Sequence, residues 1–368
     1  MVAKPTRLTL RAIIKPMQKR TIGSSNLSVP VLTLGTMTWG QQNSETEAHE
    51  QLNYAVEERG LYFLDTAEMY PVPPVKEKQG RTETYIGNWL KKRGKRDDLI
   101  IATKVGASPH IQSREPGNPP TYIKKHIRDA IEGSLSRLQT DYVDLYQIHW
   151  PERRTNFFGV RGVTDVDSPE TSTPILEILE VLGELVKEGK VRHIGVSNET
   201  PWGVNEYLRL AKEHNLPKIV SIQNQYSLTN RTYEIGLSEI TLRENIGLLA
   251  YSVLNMGVLT GKYLGGARPE GTRWVHPDFM AQNKNRYNPD RAQEAVKRYV
   301  ELARDHNLDP ATLAISFAAS RPFVTSVILG ATTMEQLKTD IDAADVTLSP
   351  EVLAGIAEIH DAMPDVTH

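Results

Sequence analysis

Four side chains that can move or orient protons stand at or just beyond the ends of apolar runs. Asp65 follows the run GLYFL, Tyr70 stands five residues later, Lys104 follows LIIAT, and His149 follows VDLYQI. If these runs are neighbouring parallel strands, their carboxyl ends share one rim and the four side chains meet there. Burying such groups together is costly unless they pair. We therefore interpret them as one site.

Pairing among these four residues predicts a phenolic general acid. A free tyrosine hydroxyl has a pKa of about 10 and is a poor acid near neutral pH unless a cation favours its phenolate. We expect Lys104 to be that cation and Asp65 to keep the lysine charged and fixed. His149 is expected to donate a hydrogen bond to a carbonyl oxygen. Such a site protonates that oxygen as hydride arrives, without a metal, a cysteine or a serine nucleophile.

Other interpretations of the same residues remain open. Taken alone, Asp65 is typical of a turn, Lys104 and His149 of solvated strand ends, and Tyr70 of a packed loop aromatic. A Schiff-base aldolase built on Lys104 is a different chemistry. It needs a depressed lysine pKa, and a neighbouring Asp65 weighs against that.

The elements that must position these residues alternate regularly along the chain. Strand-like runs cover 31–35, 61–65, 99–104, 142–149, 191–197, 218–223, 247–251 and 325–329, and helical periodicity is clear over 44–59, 121–139 and 174–188. Eight such units predict an α/β fold of the (β/α)₈ TIM-barrel type. A doubly wound sheet is the alternative, disfavoured because no GxGxxG follows an early strand.

The remaining segments frame this barrel. The two short runs on either side of the Gly23–Asn26 turn predict an N-terminal β-hairpin. Loops at about 105–120, 150–172 and 254–288 are long, and we place them at the C-terminal face, where barrel active sites are built. We expect residues 17–368 to form a single domain. Residues 1–16, basic and without acids, are expected to be a disordered extension, with an organelle-targeting segment as the alternative.

Composition excludes several classes of function. The 368 residues include 43 basic and 45 acidic ones, and a formal net charge of −2 gives no electrostatic support for nucleic acid or an anionic membrane. There is no cysteine, and no HExxH-type ligand pair, so we expect no metal. No apolar run approaches the roughly 20 residues of a membrane helix. A cytoplasmic protein is expected; its oligomeric state is not predicted.

The motifs around these residues resemble those of the aldo-keto reductases, and within them the bacterial Tas-like group. In chain order they are LGTMTWG, DTAEMYP, IIATKV, RLQTDYVDLYQIHWP, IGVSNE, QNQYS, LLAYSVLNMGVLTGKY and LGATTMEQL. The resemblance runs from about Met17 to the C-terminal end and keeps its order. It implies that the catalytic tetrad falls on Asp65, Tyr70, Lys104 and His149.

The resemblance also implies NADPH bound without a Rossmann fold. Ser197, Asn198 and Gln223 would hold the nicotinamide amide, with Tyr251 against its ring; as an alternative, Ser197 and Asn198 form an N-cap pair. The phosphates and adenosine would meet Ser252, Leu254, Gly257, Leu259, Lys262, Gly330, Ala331, Thr332, Gln336 and Asp340. NADH remains possible, because residues 331–334 (ATTM) lack the basic residue that many NADPH-dependent relatives carry there.

The expected reaction is NADPH-dependent reduction of an aldehyde or ketone. A nucleotide-binding regulatory subunit, resembling the potassium-channel β subunits, is the alternative. Trp39, Met69, Trp150 and Trp274 are candidates for the pocket wall, and they suggest a carbonyl substrate with a hydrophobic or planar body.

Overall fold

Eight parallel strands close into a barrel in the computed structural model, which describes residues 17–106, 122–165, 172–275, 280, 283 and 286–367. The barrel strands are β3 (Leu32–Gly35), β4 (Phe63–Asp65), β5 (Ile100–Val105), β6 (Val143–Ile148), β7 (Val191–Ser197), β8 (Ile219–Gln225), β9 (Gly247–Tyr251) and β10 (Val324–Leu329). Each pairs with the next in sequence, and β10 closes the ring against β3. The predicted (β/α)₈ barrel is confirmed.

Helices surround this barrel. Over the described residues the α-helices are α1 (Glu45–Leu52), α2 (Arg81–Arg93), α3 (Lys124–Leu138), α4 (Ile175–Lys187), α5 (Pro201–Glu213), α6 (Leu237–Glu244), α7 (Gln293–Asp305), α8 (Pro310–Ser320), α9 (Met334–Asp342) and α10 (Pro350–Ala362). Local sequence fixes several starts: Ser44 and Glu47 form a capping box ahead of α1, and Thr200 caps α5 with Pro201 in its first turn. The helix predicted over 44–59 is α-helical only to Leu52 and continues as a π-helix over Asn53–Glu58.

An N-terminal hairpin closes the barrel at the pole where the strands begin. Its strands, β1 (Lys19–Thr21) and β2 (Ser28–Pro30), pair antiparallel, so the predicted hairpin is confirmed. Ile22, Leu27 and Val29 of the hairpin pack into one apolar cluster with inward-facing side chains of five barrel strands. The guanidinium of Arg20 donates to the backbone carbonyls of Ala319 and Val324. The interior is therefore sealed at this end.

Strand register places the polar residues at the opposite rim. Asp65 lies beside Ala102 and Lys104 beside Gln147, while Ser197 is paired with Gln223. Because all eight strands run in one direction, these positions share the C-terminal end of the barrel. Residues 1–16 and most of the predicted 105–120 loop lie outside the described residues. Their expected roles, and the single-domain span 17–368, stay predictions.

Candidate active site

A buried lysine lies at the centre of the rim. The Nζ of Lys104 donates to Asp65 Oδ2 at 2.7 Å, to the backbone oxygen of Thr66 at 2.7 Å and to the Tyr70 hydroxyl at 3.4 Å. Lys104 is 0% exposed and Asp65 2% exposed. Three acceptors for three ammonium protons make this a fully satisfied Lys104 cation. Asp65, Tyr70 and Lys104, predicted as neighbours, do lie together.

The electrostatics of the phenol differ from the sequence-based expectation. Burial raises the pKa of the Tyr70 hydroxyl well above its ordinary value, and the Asp65 carboxylate and Tyr287 act in the same direction. Burial also lowers the pKa of Lys104, opposed by Asp65 and more weakly by Glu83. Lys104 was expected to make the phenol more acidic. In this structure Asp65 neutralises much of that field, so desolvation dominates and Tyr70 keeps its proton.

His149 joins this group at the end of β6. Its ring meets the Tyr70 ring edge-on, with centroids 5.7 Å apart and planes inclined at 74°. On its other side it lies 4.6 Å from the Trp150 ring. All four predicted catalytic residues are buried at one place, and the arrangement leaves a phenol and an imidazole side by side.

The amide residues at the ends of β7 and β8 form a continuous network with this group. Gln223 Nε2 donates to Asp65 Oδ1 at 2.8 Å, and Ser197 Oγ donates to the Gln223 backbone oxygen at 2.7 Å. Asn198 Nδ2 donates to the His149 backbone oxygen at 2.8 Å, while Asn198 Oδ1 accepts from the Tyr251 hydroxyl. All are held at the rim.

The N-cap alternative for Ser197 and Asn198 is wrong. Helix α5 is capped by Thr200, whose side chain accepts from the Gly203 amide. Ser197 ends strand β7 and Asn198 has a left-handed backbone with φ 56°. Both side chains are therefore free of a capping role and serve the rim network.

The loop after β9 brings cations to a tightly turned backbone. Ser252, Asn255, Met256 and Gly257 all have positive φ, a conformation that favours close approach of backbone amides to an anion. Leu254 and Leu259 belong to the same turn, and the Leu254 carbonyl accepts from the Gly257 and Leu259 amides. A Cβ on Gly257 would lie 2.9 Å from the Nζ of Lys262.

Sequence reasoning missed a second cation beside Lys262. Burial lowers the pKa of Lys262, and the charge of Arg273 lowers it further. Burial also lowers the pKa of Arg273 itself. Among the residues that the structure describes, neither cation has a carboxylate within ion-pairing distance. Arg273 lies eleven residues beyond Lys262 in a loop without periodicity, so spacing gave no signal for it.

The predicted adenosine contacts lie in the turn after β10 and on α9. Gly330 is exposed, and Gln336 Oε1 accepts from the backbone amide and hydroxyl of Thr332 at 3.0 and 3.1 Å. Asp340 is buried on α9, where burial and then Asp309 raise its pKa to about 7, opposed by Lys262. The link between Asp340 and Lys262 places α9 next to the cationic loop.

The predicted pocket walls divide into two groups. Met69 and Trp150 are buried beside Tyr70 and His149 in the chain. Trp39 is fully enclosed and donates its indole N–H to Gln51 Oε1 of helix α1 at 3.0 Å. Trp274 is buried as well. Trp39 therefore offers a substrate no free surface in this structure, because core packing takes it up.

Two further residues that the sequence did not single out line the mouth. Phe158 lies on the segment after β6, with its ring 6.1 Å from that of Trp150. Arg286 stacks over Phe158, 4.5 Å from the ring centre, and donates to the Tyr251 hydroxyl at 3.0 Å. Both come from long loops, where residue type alone carries no positional information.

The described part of the chain has neither a candidate metal site nor a candidate membrane span. No cluster of three or more His, Asp or Glu side chains there is arranged to hold a metal ion. Within the same residues, no helix has the length and apolar character needed to cross a membrane.

Comparison with known proteins identifies the family. The model of the aldo/keto reductase family matches residues 31–361. Protein tas of Escherichia coli is 51% identical over 94% of this chain and 98% of its own length. An uncharacterized oxidoreductase, YrpG of Bacillus subtilis, is 30% identical over 93% of this chain and 96% of its own. A probable voltage-gated potassium channel subunit beta of Arabidopsis thaliana is 30% identical over 95% and 98%. The chain therefore belongs to the aldo/keto reductase family, a family of NAD(P)H-dependent oxidoreductases.

Proposed function

We propose that this protein reduces an aldehyde or a ketone to an alcohol, with NADPH as the hydride donor and Tyr70 as the general acid. The observation that carries the proposal is the buried chain of contacts from Asp65 through Lys104 to the Tyr70 hydroxyl, at 2.7 and 3.4 Å. A protonated phenol is what a general acid must be before the reaction.

Each residue has a separate task in this proposal. Tyr70, whose raised pKa keeps its hydroxyl protonated, gives that proton to the substrate oxygen as negative charge develops there. Lys104 then lies 3.4 Å from the phenolate that remains and stabilises it. Asp65 holds the ammonium in place, and His149 donates a hydrogen bond to the substrate oxygen. These groups act when charge appears, so they favour the transition state over the bound ketone.

The residues fit a dinucleotide. NADPH supplies the hydride when bound. Lys262 and Arg273, two cations with no carboxylate within ion-pairing distance among the described residues, suit its phosphates, and the absence of a Cβ at Gly257 lets Lys262 pack against the turn. Ser197, Asn198 and Gln223 offer amide and hydroxyl groups for the carboxamide. NADPH rather than NADH is proposed on the family's general use of NADP(H).

The Schiff-base alternative loses support from the same geometry. All three Lys104 ammonium protons have acceptors, so the Nζ lone pair is not available for attack on a carbonyl. Burial does lower the pKa of Lys104, which a Schiff-base lysine needs, although Asp65 and Glu83 oppose the shift; the case against the Schiff base is therefore the geometry.

Substitution of Tyr70 by Phe tests the proposal. The variant removes the hydroxyl and keeps the ring, so NADPH oxidation with a panel of aldehydes and dicarbonyls should fall by about 10²- to 10⁴-fold, the usual worth of a general acid. Nucleotide binding, followed by fluorescence titration, should remain within about twofold, since the lost hydroxyl belongs to the substrate side. Unchanged turnover in the variant would reject Tyr70 as the acid.

The runner-up is a nucleotide-binding regulatory subunit, and the similarity to a protein named as a probable channel β subunit is what favours it. Such a protein binds NADPH and turns over slowly. The same assay separates the two, because slow turnover that is equal in the wild-type and the Tyr70→Phe proteins, with intact binding, would support the regulatory function.

A further inference from the structure

Arg286 is a cation at the active-site mouth for which the described residues provide no acid. Its Nη2 donates to the Tyr251 hydroxyl at 3.0 Å and to Gln225 Oε1 at 3.4 Å. Its Nε is buried and has no hydrogen-bond partner. In the part of the chain that the structure describes, no carboxylate lies within ion-pairing distance of this guanidinium. Arg286 is partly buried, with its Nε inaccessible to water, and a partly desolvated charge without a counterion is costly, so the arrangement suits an anion from outside.

Aromatic rings connect Arg286 to the reacting groups. The guanidinium lies 4.5 Å from the ring centre of Phe158 and 4.7 Å from that of Tyr287. Phe158 packs against Trp150, whose ring lies 4.6 Å from that of His149. The cation is thus separated from the proposed carbonyl site by a wall of flat side chains, along which a planar substrate body can lie.

A chain of hydrogen bonds also links Arg286 to His149. Arg286 contacts the Tyr251 hydroxyl, which donates to Asn198 Oδ1, and Asn198 Nδ2 donates to the His149 backbone oxygen at 2.8 Å. Two independent sets of contacts therefore place Arg286 near His149. Arg286 follows β9 in the same long connection as Lys262 and Arg273, but their contacts differ. Arg286 contacts Tyr251, Gln225 and Phe158 of the segment after β6, whereas Lys262 lies against Gly257.

We propose that Arg286 determines substrate specificity by binding a carboxylate, and that the substrate is an aldehyde or ketone that also carries a carboxylate group. The planar guanidinium offers paired N–H donors that match the two carboxylate oxygens. This inference rests on the proposed reductase function and names the class of its substrate. The carboxylate stays unchanged in the reaction; it orients the carbonyl toward Tyr70.

The test compares two substrates that differ only in charge: a benzaldehyde with a para-carboxylate, and its methyl ester. With NADPH, the wild-type protein should use the acid with a kcat/KM about 10- to 100-fold above that of the ester, the range expected for one charge-assisted pair. In Arg286→Leu the preference should disappear, mainly through KM for the acid, while the ester changes by less than about threefold. Arg286→Lys should keep part of the preference, because it keeps the charge without the planar fork.

Controls separate this inference from the proposed function. Arg268→Gln removes a cation of the same connection after β9 that is already paired with Asp290, and it should leave the preference intact. No turnover of either aldehyde by the wild-type protein would overturn the reductase itself. Turnover of both with equal kcat/KM would overturn only the carboxylate site. If Arg286→Leu lowered NADPH affinity and lowered kcat/KM equally for the acid and the ester, the arginine would belong to the nucleotide site. That result would also overturn the inference.

Discussion

At the scale of single residues, the buried Asp65–Lys104 ion pair determines the electrostatics around Tyr70. Both side chains are out of contact with water, and their 2.7 Å contact lets each compensate the other's desolvation. Because the pair has almost no net charge, burial is the main influence on the pKa of the Tyr70 hydroxyl. In the proposed reaction, the Lys104 ammonium stabilises the phenolate that forms when Tyr70 loses its proton.

Removing the Asp65 carboxylate should reveal the free-energy cost of burying the Lys104 ammonium. Asp65→Asn leaves a buried ammonium without its anion, so the free energy of unfolding should fall by about 3–5 kcal/mol, measured by urea denaturation at pH 7. Asp129→Asn, which breaks an exposed pair with Lys125, should cost under about 1 kcal/mol. A similar small loss in both variants would show that the buried pair contributes no more than a surface one.

The same variant has a predictable pH dependence. Burial lowers the pKa of Lys104 and Asp65 opposes that effect, so loss of the Asp65 charge lowers this pKa further. The folded variant then releases the lysine proton, whereas the unfolded chain, with a lysine pKa of about 10.4, retains it. Stability of the variant should therefore rise with pH toward that value. Its deficit relative to wild type should be smaller at pH 9 than at pH 7.

Residue type and strand position were enough to predict which four side chains meet, but not the electrostatic balance among them. The positions of Asp65, Lys104 and His149 follow from strand register, which a sequence pattern encodes, and Tyr70 follows β4 by five residues. The raised pKa of Tyr70 depends on how completely the site excludes water and on the distance from Asp65, and both are three-dimensional quantities. Arg273 and Arg286 were missed for a related reason, since loop arginines are normally solvated and only packing distinguishes these two.

At the scale of elements, the parallel strands are what the sequence encodes most clearly. Strands buried on both faces are continuous apolar runs, so β7 and β9 were predicted with the bounds that the structure has. Predicted helix 44–59 shows the limit: its periodicity continues across Leu52, but the backbone widens to a π-helix over Asn53–Glu58. A one-residue change in hydrogen bonding hardly alters an apolar stripe, so no pattern could reveal it.

The loop after β9 yields a prediction about binding. Gly257→Ala adds a Cβ 2.9 Å from the Lys262 Nζ, at φ 86°, so it should displace the cation and weaken NADPH binding. We expect a Kd about 10-fold higher by fluorescence titration. Gly265→Ala is the matched control, because Gly265 also has positive φ, 67°, but nothing lies within 4 Å of its added Cβ. Equal weakening in both would point to backbone strain rather than to Lys262.

At the scale of the whole molecule, the barrel has two poles with different duties. The hairpin and its apolar cluster close one pole, and every proposed catalytic and cofactor residue lies near or beyond the strand ends of the other. In a barrel of this kind the closed end serves stability while the open end serves chemistry. Substitutions at the closed pole should therefore lower stability without lowering activity.

Arg20→Ala tests that separation. Loss of its hydrogen bonds to the Ala319 and Val324 carbonyls should lower the free energy of unfolding by roughly 1.5 kcal/mol, the lower end for a charged donor because the guanidinium is only half-buried. Reductase kcat/KM and NADPH affinity should stay within about twofold. An exposed control, Lys91→Ala, should change stability by less than about 0.5 kcal/mol. A fall in activity that follows stability would contradict the separation.

The sealed pole also decides where the protein can be attached to something else. The described chain enters through β1 at the closed end, whereas Thr367 hydrogen-bonds to Thr229, in the segment after β8 on the side of the mouth. A fusion partner or surface linker joined ahead of Lys19 therefore starts at the far side of the barrel from the tetrad. One joined after Thr367 starts near the rim, where bulk would compete with substrate for access. For immobilisation, the amino-terminal side is the end to use.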